Sequence, residues 1–474
     1  MKSLLPLLFL LSILSYPTEP GHKPPGCDGK GNCYVYAAAS GTGSGANWTN
    51  ACTKFAGNCS TTSDNARGVT FWVAAGSYGS VRFAAPDSGT TVTTVGSATT
   101  SNHGPAGDWN DRYAGQALFS GGSIGSDYWT IDGQNRGPDW QTGYNLKFWN
   151  QSAPHGEALE IGTGTGHGAS HVSIKYVEVE GTNQNYRSST PCSSGGYCDE
   201  GIYVKSRSNN LYVGHSFLHD VGDTQVQAND NTVENSVGSD WIFEYDYFSR
   251  NHSGAQSADN HSEAFSITAQ NLVVRYNYFQ DIGSSGVITD ASGGRPAVGP
   301  WEIYGNVWFW TKENPFPGVG DGFACLFGET FSGHLEIYNN TIAGIQSEDV
   351  CSARPFFMIG GAENRGNPAV HIYNNLFWND CHVHNGPGAY YNWTVSMDDN
   401  SYYGGTTAPN DSSAHRRMIA GNPFVDFAHG NFRLKRHTEP GKPLLAPYGQ
   451  DIDGQTRGSD GIWDRGAFQF ALTH

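Results

Sequence analysis

Val274-Arg275-Tyr276-Asn277-Tyr278-Phe279 decides the fold, because the chain keeps returning to it. Ile337-Tyr338-Asn339-Asn340-Thr341-Ile342 and Ile372-Tyr373-Asn374-Asn375-Leu376-Phe377 repeat its pattern. Phe243-Glu244-Tyr245-Asp246-Tyr247-Phe248 and Ile303-Tyr304-Gly305-Asn306-Val307-Trp308 are weaker copies, and Ile174-Lys175-Tyr176 and Leu211-Tyr212-Val213 are earlier ones. Successive tyrosines lie roughly 28 to 36 residues apart, the length of one supersecondary unit. Within each unit apolar and polar positions alternate with a period of two, which marks a strand with one buried face. An Asn or Asp follows the aromatic in most copies. At a bend between strands such a residue tolerates left-handed backbone angles and bonds backbone groups through its side chain. Stacked turn over turn, these residues predict an asparagine ladder. A helical repeat would show 3.6-residue spacing, and a β-propeller would carry Gly-His and Trp-Asp at fixed places in every unit; the repeated units carry neither pattern. The fold class predicted is all-β: a single-stranded right-handed parallel β-helix, a solenoid.

Composition agrees. Charged residues make up only 15% of the chain, aromatics reach 13%, and Gly accounts for 62 of 474 residues. Many short strands joined by tight turns read this way, whereas disordered chains lack the aromatics. The net charge of −17 argues against nucleic acid as a partner, since phosphate binding needs clustered Lys and Arg. Met1-Lys2-Ser3 followed by the apolar run Leu4 to Leu14 reads as a signal peptide over residues 1–21, too short to span a bilayer. No second run of that kind occurs, so export without membrane insertion is expected. Residues 22–66 then form a disulfide-stapled cap, and 67–474 form the β-helix with its closing segment. Capped β-helices are usually self-sufficient, so a monomer is expected.

Nine cysteines suit an oxidising compartment. Cys27 with Cys33, Cys52 with Cys59, and Cys192 with Cys198 read as local staples, and Cys325, Cys351 and Cys381 leave an odd count. No Cys-x-x-Cys pair marks a zinc site.

Gly68-Val69-Thr70-Phe71-Trp72-Val73 leading to Ala75-Gly76-Ser77-Tyr78, and Asp127-Tyr128-Trp129-Thr130-Ile131-Asp132-Gly133, resemble opening coils of the pectin-lyase-like superfamily. The end of the chain, from Asn422-Pro423-Phe424-Val425 through Asp451-Ile452-Asp453-Gly454 to Asp464-Arg465-Gly466-Ala467-Phe468, resembles the closing segment of those proteins. The resemblance implies a secreted parallel β-helix. It leaves the reaction open among lyases, hydrolases, epimerases and non-catalytic fibres.

Aligning the units sets Asp199-Glu200-Gly201-Ile202-Tyr203-Val204-Lys205 above His261-Ser262-Glu263-Ala264-Phe265-Ser266-Ile267, with Asp321-Gly322-Phe323-Ala324-Cys325 further on. In each an acid stands two residues before the first inward apolar position, so Glu200, Glu263 and Asp321 are expected in one column, with Glu234 a further member. Carboxylates stacked about 5 Å apart need a cation such as Ca2+, a basic neighbour or a shared proton. The bland reading is that each acid caps its own turn. Lys205 has the parity of Tyr203 and should point outward. A Lys five residues after a Glu, followed by Ser206 and Asn209-Asn210, resembles the alginate lyase and chondroitinase B family. That resemblance implies a base beside a Ca2+-neutralised uronate. The family's second basic group is missing from Thr224-Gln225-Val226-Gln227-Ala228-Asn229, and a plain surface lysine is the competing reading.

Arg275, His261 and Glu263 form a second constellation, in which Arg275 would either clamp substrate or pair with Asp246 of the previous coil. Gly166-His167-Gly168 is similar to a polygalacturonase motif but lacks the preceding Asp-Asp. Tyr203, Trp308 and Trp310 could stack on sugar faces, and Asp290 could bond the substrate, although such rings also stack inside a β-helix. The working expectation is a secreted lyase cleaving an acidic polysaccharide by β-elimination, with Ca2+ near Glu200 and Glu263 and no organic cofactor. Lys205 or Arg275 would be the base and His261 the acid. A glycoside hydrolase using two of Glu200, Glu263, Asp290 and Asp321 is the rival, and a non-catalytic glycan-binding β-helix the third reading.

Overall fold

The computed structural model describes residues 26–150, 156–163, 168–181, 199–228, 238–251, 263–282, 287–289, 297–311, 326–328, 331–344, 357–359, 369–379, 394–404, 406 and 411–471, and every structural count below concerns these. Three long sheets, all parallel, run side by side, with 13, 12 and 9 strands. We name them A, B and C in that order. Sheet A starts at Asn32–Val35 and ends at Thr394–Asp398, sheet B runs from Gly76–Ser77 to Arg417–Ile419, and sheet C from Val81–Phe83 to Phe357–Ile359. Each pass of the chain visits A, then B, then C. One pass is Leu211–Gly214, Phe217–His219 and Val226–Ala228, and the chain then re-enters sheet A at Gly238–Glu244. This is the parallel β-helix the repeats predicted. The repeats themselves lie in register on sheet A, Phe243 beside Val274, Ile303, Ile337 and Ile372.

Alternation does the packing. Val274, Ile303, Ile337 and Ile372 are essentially unexposed in the central core, and their chain neighbours face outward. The A–B corner holds the ladder. Asp246, Asn277, Asn306 and Asn340 each donate a backbone N–H to the side-chain oxygen of the next rung, at 2.8, 3.0, 3.0 and 2.9 Å. Asn375 continues it to Asn400 at 2.9 Å. Left-handed geometry falls on the residue before each rung: Tyr245, Tyr276, Asn339 and Asn374 have φ of 56°, 57°, 53° and 58°, and Gly305 has 66°. Bending and bonding are thus divided between two neighbouring residues, which is why Asn339-Asn340 and Asn374-Asn375 occur as pairs.

The closing segment returns along the outside. Phe424, Phe432 and Phe468 pack with Val307, Phe309 and Leu376 of sheet B. Arg465, 1% exposed, donates to the carbonyls of Asn400, His415 and Pro440. At the other end Cys27–Cys33 and Cys52–Cys59 are bonded as the spacing predicted. Asn32–Val35 already pairs with Thr70–Val73, so the β-helix begins inside the region read as a separate cap. The expected signal segment and Cys192, Cys198, Cys325, Cys351 and Cys381 lie outside the described residues. Among those described, no helix is long and apolar enough to cross a membrane.

Candidate functional site

On sheet C, Glu157–Ile161, Glu200–Val204, Val226–Ala228 and Phe265–Ile267 lie in successive coils. Leu159, Ile202, Val226 and Phe265 point into the core. The residues one further along, Glu160, Tyr203, Gln227 and Ser266, therefore form a polar row on the outer face. Coils stack about 4.8 Å apart, so the row runs the length of several sugar-sized steps. Beside it Glu157 and Glu200 are direct register partners.

Lys205 directly follows the strand Glu200–Val204. Its ammonium lies 2.9 Å from Glu157 Oε1 and 3.0 Å from Glu160 Oε2, and 4.9 Å from the Tyr203 ring centre. Burial pulls this ammonium down, but the hydrogen bonds to Glu157 and Glu160 outweigh it and hold its pKa above the ordinary lysine value. Lys205 is thus a fixed cation that orients two carboxylates. Glu200 has the opposite fate. Burial, then the negative charges of Asp223 and Glu157, push its carboxyl well above the usual range against the weaker pull of Lys205. One coil step therefore sets a carboxyl inclined to stay neutral beside a carboxylate paired with an ammonium.

The B–C corner backs this face with more acids. Asp199, wholly buried, accepts from the Gly222 N–H at 2.9 Å, and its carbonyl takes the Asp223 N–H at 3.0 Å. Gly181 makes room for it, since a Cβ there would stand 2.4 Å from both Asp199 Oδ2 and the Asp220 carbonyl. Glu263, 1% exposed, accepts from the Thr224 hydroxyl at 3.0 Å. Extending the Ile202, Val226 and Phe265 register back by two residues puts Thr224 between Glu200 and Glu263. The two acids are two coils apart, about 10 Å, and not stacked neighbours as the column predicted. Glu157, Asp199 and Asp223 are the true companions of Glu200.

Outside sheet B the acids continue. Lys147 bridges Glu178 at 2.6 Å and Glu180 at 2.5 Å. His219 is caught between Glu178 (3.2 Å) and Asp220 (2.6 Å), and Arg250 grips Asp220 through two bonds of 2.8 Å. Burial would lower the His219 pKa, yet its two carboxylate partners raise it. Burial likewise opposes the bonds from His219 and Lys147 that bring Glu178 down to about 2. Glu180, His219 and Asp220 present ligand atoms within 4.8 Å of one another, but Lys147 and Arg250 already neutralise these acids.

Other expectations fare differently. Arg275 lies on sheet A, where it donates to Glu244 Oε2 at 2.6 Å and to the Tyr304 hydroxyl at 2.9 Å. Its partner is Glu244, its register neighbour, and not Asp246, which belongs to the ladder. It stands apart from the sheet C face. Trp308 and Trp310 are 2% and 7% exposed, Trp308 stacked on Phe279 with centres 3.5 Å apart. They are core residues and cannot form a sugar platform. Tyr203 is half-buried on the outer row. Glu234, His261, Asp290 and Asp321 lie outside the described residues. Sequence reasoning missed Glu157 and Glu160, although Glu157-Ala158-Leu159-Glu160-Ile161 aligns with Glu200-Gly201-Ile202-Tyr203-Val204 without a gap.

Among solved structures the chain is similar to the pectate lyase Pel9A, at 13% identity and a TM-score of 0.45, covering 93% of this chain and 96% of that one. It is also similar to a variant of the PL6-family alginate lyase AlyGC, at 12% identity and a TM-score of 0.38, covering 78% of this chain and 53% of that one. A third is the catalytic unit of a GH87 α-1,3-glucanase from Streptomyces thermodiastaticus, at 10% identity and a TM-score of 0.33, covering 75% and 62%. The chain spans about half the length of the alginate lyase. No protein family and no curated protein matches the sequence. Such likeness concerns the path of the chain, and any activity has to be argued from the residues themselves.

Proposed function

We propose that this protein cleaves glycosidic bonds in a polysaccharide laid along the outer row of sheet C, with Glu200 as the proton donor. One observation carries the reading: a Glu200 carboxyl whose pKa is pushed well up stands one coil from Glu157, which is ion-paired to Lys205. A raised carboxyl beside a carboxylate held by an ammonium is the kind of arrangement that pairs an acid with a base or nucleophile. A departing glycosidic oxygen needs a proton, and a neutral carboxyl supplies it. Glu157, held by Lys205, would then serve as nucleophile or base. Register partners on adjacent coils suit the ~5–5.5 Å carboxyl separation of retaining hydrolysis better than the wider inverting gap.

A second reading, β-elimination on a uronate chain, is favoured by the donor set around Glu200. Glu157, Asp199 and Asp223 add only oxygen ligands and an excess of negative charge, which fits a hard cation such as Ca2+. Glu200, Asp199 and Asp223 would hold it, and when bound it would neutralise a uronate carboxylate. For this reading Lys205 would have to part from Glu157 and lose its proton before acting as the base. Export from the cell accords with the two disulfides.

The test is a panel of neutral and acidic polysaccharides, with Ca2+ and with chelator, read for new reducing ends and for absorbance of unsaturated uronate ends. Hydrolysis gives reducing ends without absorbance, unaffected by chelator, and Glu157→Gln lowers kcat by ~100-fold or more. Elimination gives calcium-dependent absorbance that Lys205→Ala abolishes. A folded protein giving neither signal across the panel would contradict both chemistries.

A further inference from the structure

Four cysteines from three separate turns converge beneath the first coil. Cys33 lies on Asn32–Val35, Cys52 makes a bridge pair with Val35, and Cys59 closes the short turn Gly57–Cys59. The two disulfides are not independent staples. Cys27 Sγ of one lies 3.6 Å from Cys59 Sγ of the other, and the sulfurs of Cys27, Cys52 and Cys59 all fall within 4.8 Å of one another. Cys33 completes the group through its bond to Cys27. A tetrahedral zinc site with Zn–S of ~2.3 Å has sulfurs ~3.8 Å apart along each edge. The spacing between the two bridges already matches such an edge.

The surroundings fit a closed sulfur site. Cys33, Cys52 and Cys59 are 2%, 4% and 0% exposed. The Cys27 backbone N–H donates to Cys33 Sγ at 3.1 Å, the kind of bond that steadies a thiolate. Gly45, with φ of 73°, presses its backbone on the group, since a Cβ there would stand 2.6 Å from Cys59 Sγ and 2.7 Å from Cys27 Sγ. Cys27 also lines an open cavity of about 640 Å3 with Asp28, Lys30, Tyr34, Asn50 and Asp108. That cavity gives a reductant and a cation a way in, past carboxylates that attract the cation.

We propose that these four cysteines form a second, metal-binding state of the N-terminal end: two disulfides when oxidised, one tetrahedral zinc-type site when reduced. An external dithiol or phosphine supplies two electrons to each bridge, and two protons accompany them, leaving four thiols. Binding of one Zn2+ to the four thiolates then releases four protons. Spacing in the sequence hides this site, because no Cys-x-x-Cys pair announces it. Either state ties the same three turns together, so the end of the solenoid stays closed across a change of redox compartment.

Co2+ reports the geometry directly. The full chain is reduced with a phosphine and titrated with Co2+ and then Zn2+, while a thiol reagent counts accessible sulfurs. The expected result is a sulfur-to-cobalt charge-transfer band that saturates at about one ion per chain and is bleached by Zn2+. About four of the thiols should become protected at the same time. Cys27→Ser/Cys59→Ser should lose both signals, whereas replacing Cys192 and Cys198 by Ser should keep them. Because thiols are counted whether or not the reduced end is folded, unchanged thiol reactivity with zinc overturns the proposal. So does a charge-transfer band that persists in Cys27→Ser/Cys59→Ser.

Discussion

At the scale of single residues the molecule is governed by where it leaves a charge unpaid for by solvent. Asp246 occupies a ladder rung that asparagine fills elsewhere. Its Oδ1 accepts the Ser216 N–H at 2.7 Å, while Oδ2 is buried and meets no donor. On the other rungs that position is an amide donating to a strand carbonyl, as Asn277 does to Phe243 at 3.0 Å. Burial drives the Asp246 pKa well above 3.8, so the fold favours its neutral form. The unfolded chain loses this proton first. The stability Asp246 provides is therefore complete below about pH 4 and is lost as pH rises toward its folded value. Asp246→Asn should stabilise the protein at pH 8 by about 1–2 kcal/mol, measured by urea unfolding, with the gain shrinking toward pH 4. A destabilised variant would contradict the assignment. His219 works with the same sign for another reason, since its two carboxylate partners raise it above 6.5. Its contribution is full below pH 6.5 and fades as pH passes the folded value. The stability difference between the wild type and His219→Gln should thus be larger at pH 5.5 than at pH 9, and a difference independent of pH would rule out the imidazolium.

Elements are set by the stacking of one coil on the next. Asn306 joins three coils: it takes the Asn277 N–H, donates to the Val274 carbonyl at 2.9 Å and passes its own N–H to Asn340. Asn306→Ala would leave buried backbone groups without partners and should cost about 1–3 kcal/mol, seen as a lowered Tm. A loss within error would mean that the neighbouring coils relax around the gap. This part of the structure was legible beforehand, because a ladder imposes the same residue type at the same place in every unit. The sheet C face was only half legible. Glu200 and Glu263 could be picked out by their position ahead of an inward residue, but Thr224 stands in the coil between them, and nothing in a period of two counts coils. Arg275 shows the same limit: a pair with Asp246 of the previous coil was expected, yet register sets Glu244 beside it. Trp308 and Trp310 share parity, but it is the inward parity: both sit in the central core, Trp308 stacked on Phe279.

The whole molecule divides its surface by sheet. The later coils of sheet B and the A–B corner are covered by the closing segment, with Phe424, Phe432 and Phe468 on one aromatic cluster and Arg465 tying the last coils together. On sheet C, Glu160, Tyr203 and Gln227 stay half-exposed, backed by Asp199, Asp223 and Glu263. An acidic chain of net charge −17 repels a polyanion unless the groove carries its own cations, and Lys205 is the one this face shows bonded to its acids. The proposed chemistry turns on a proton that Glu200 gives up as the bond is cleaved. The most direct test compares the wild type with Glu200→Gln on whichever polysaccharide the wild type cleaves, after confirming equal folding by thermal melting. The expected result is a fall in kcat of ~100-fold or more with KM little changed. Cleavage by Glu200→Gln at the wild-type rate would remove Glu200 as the proton donor and move the chemistry away from this face.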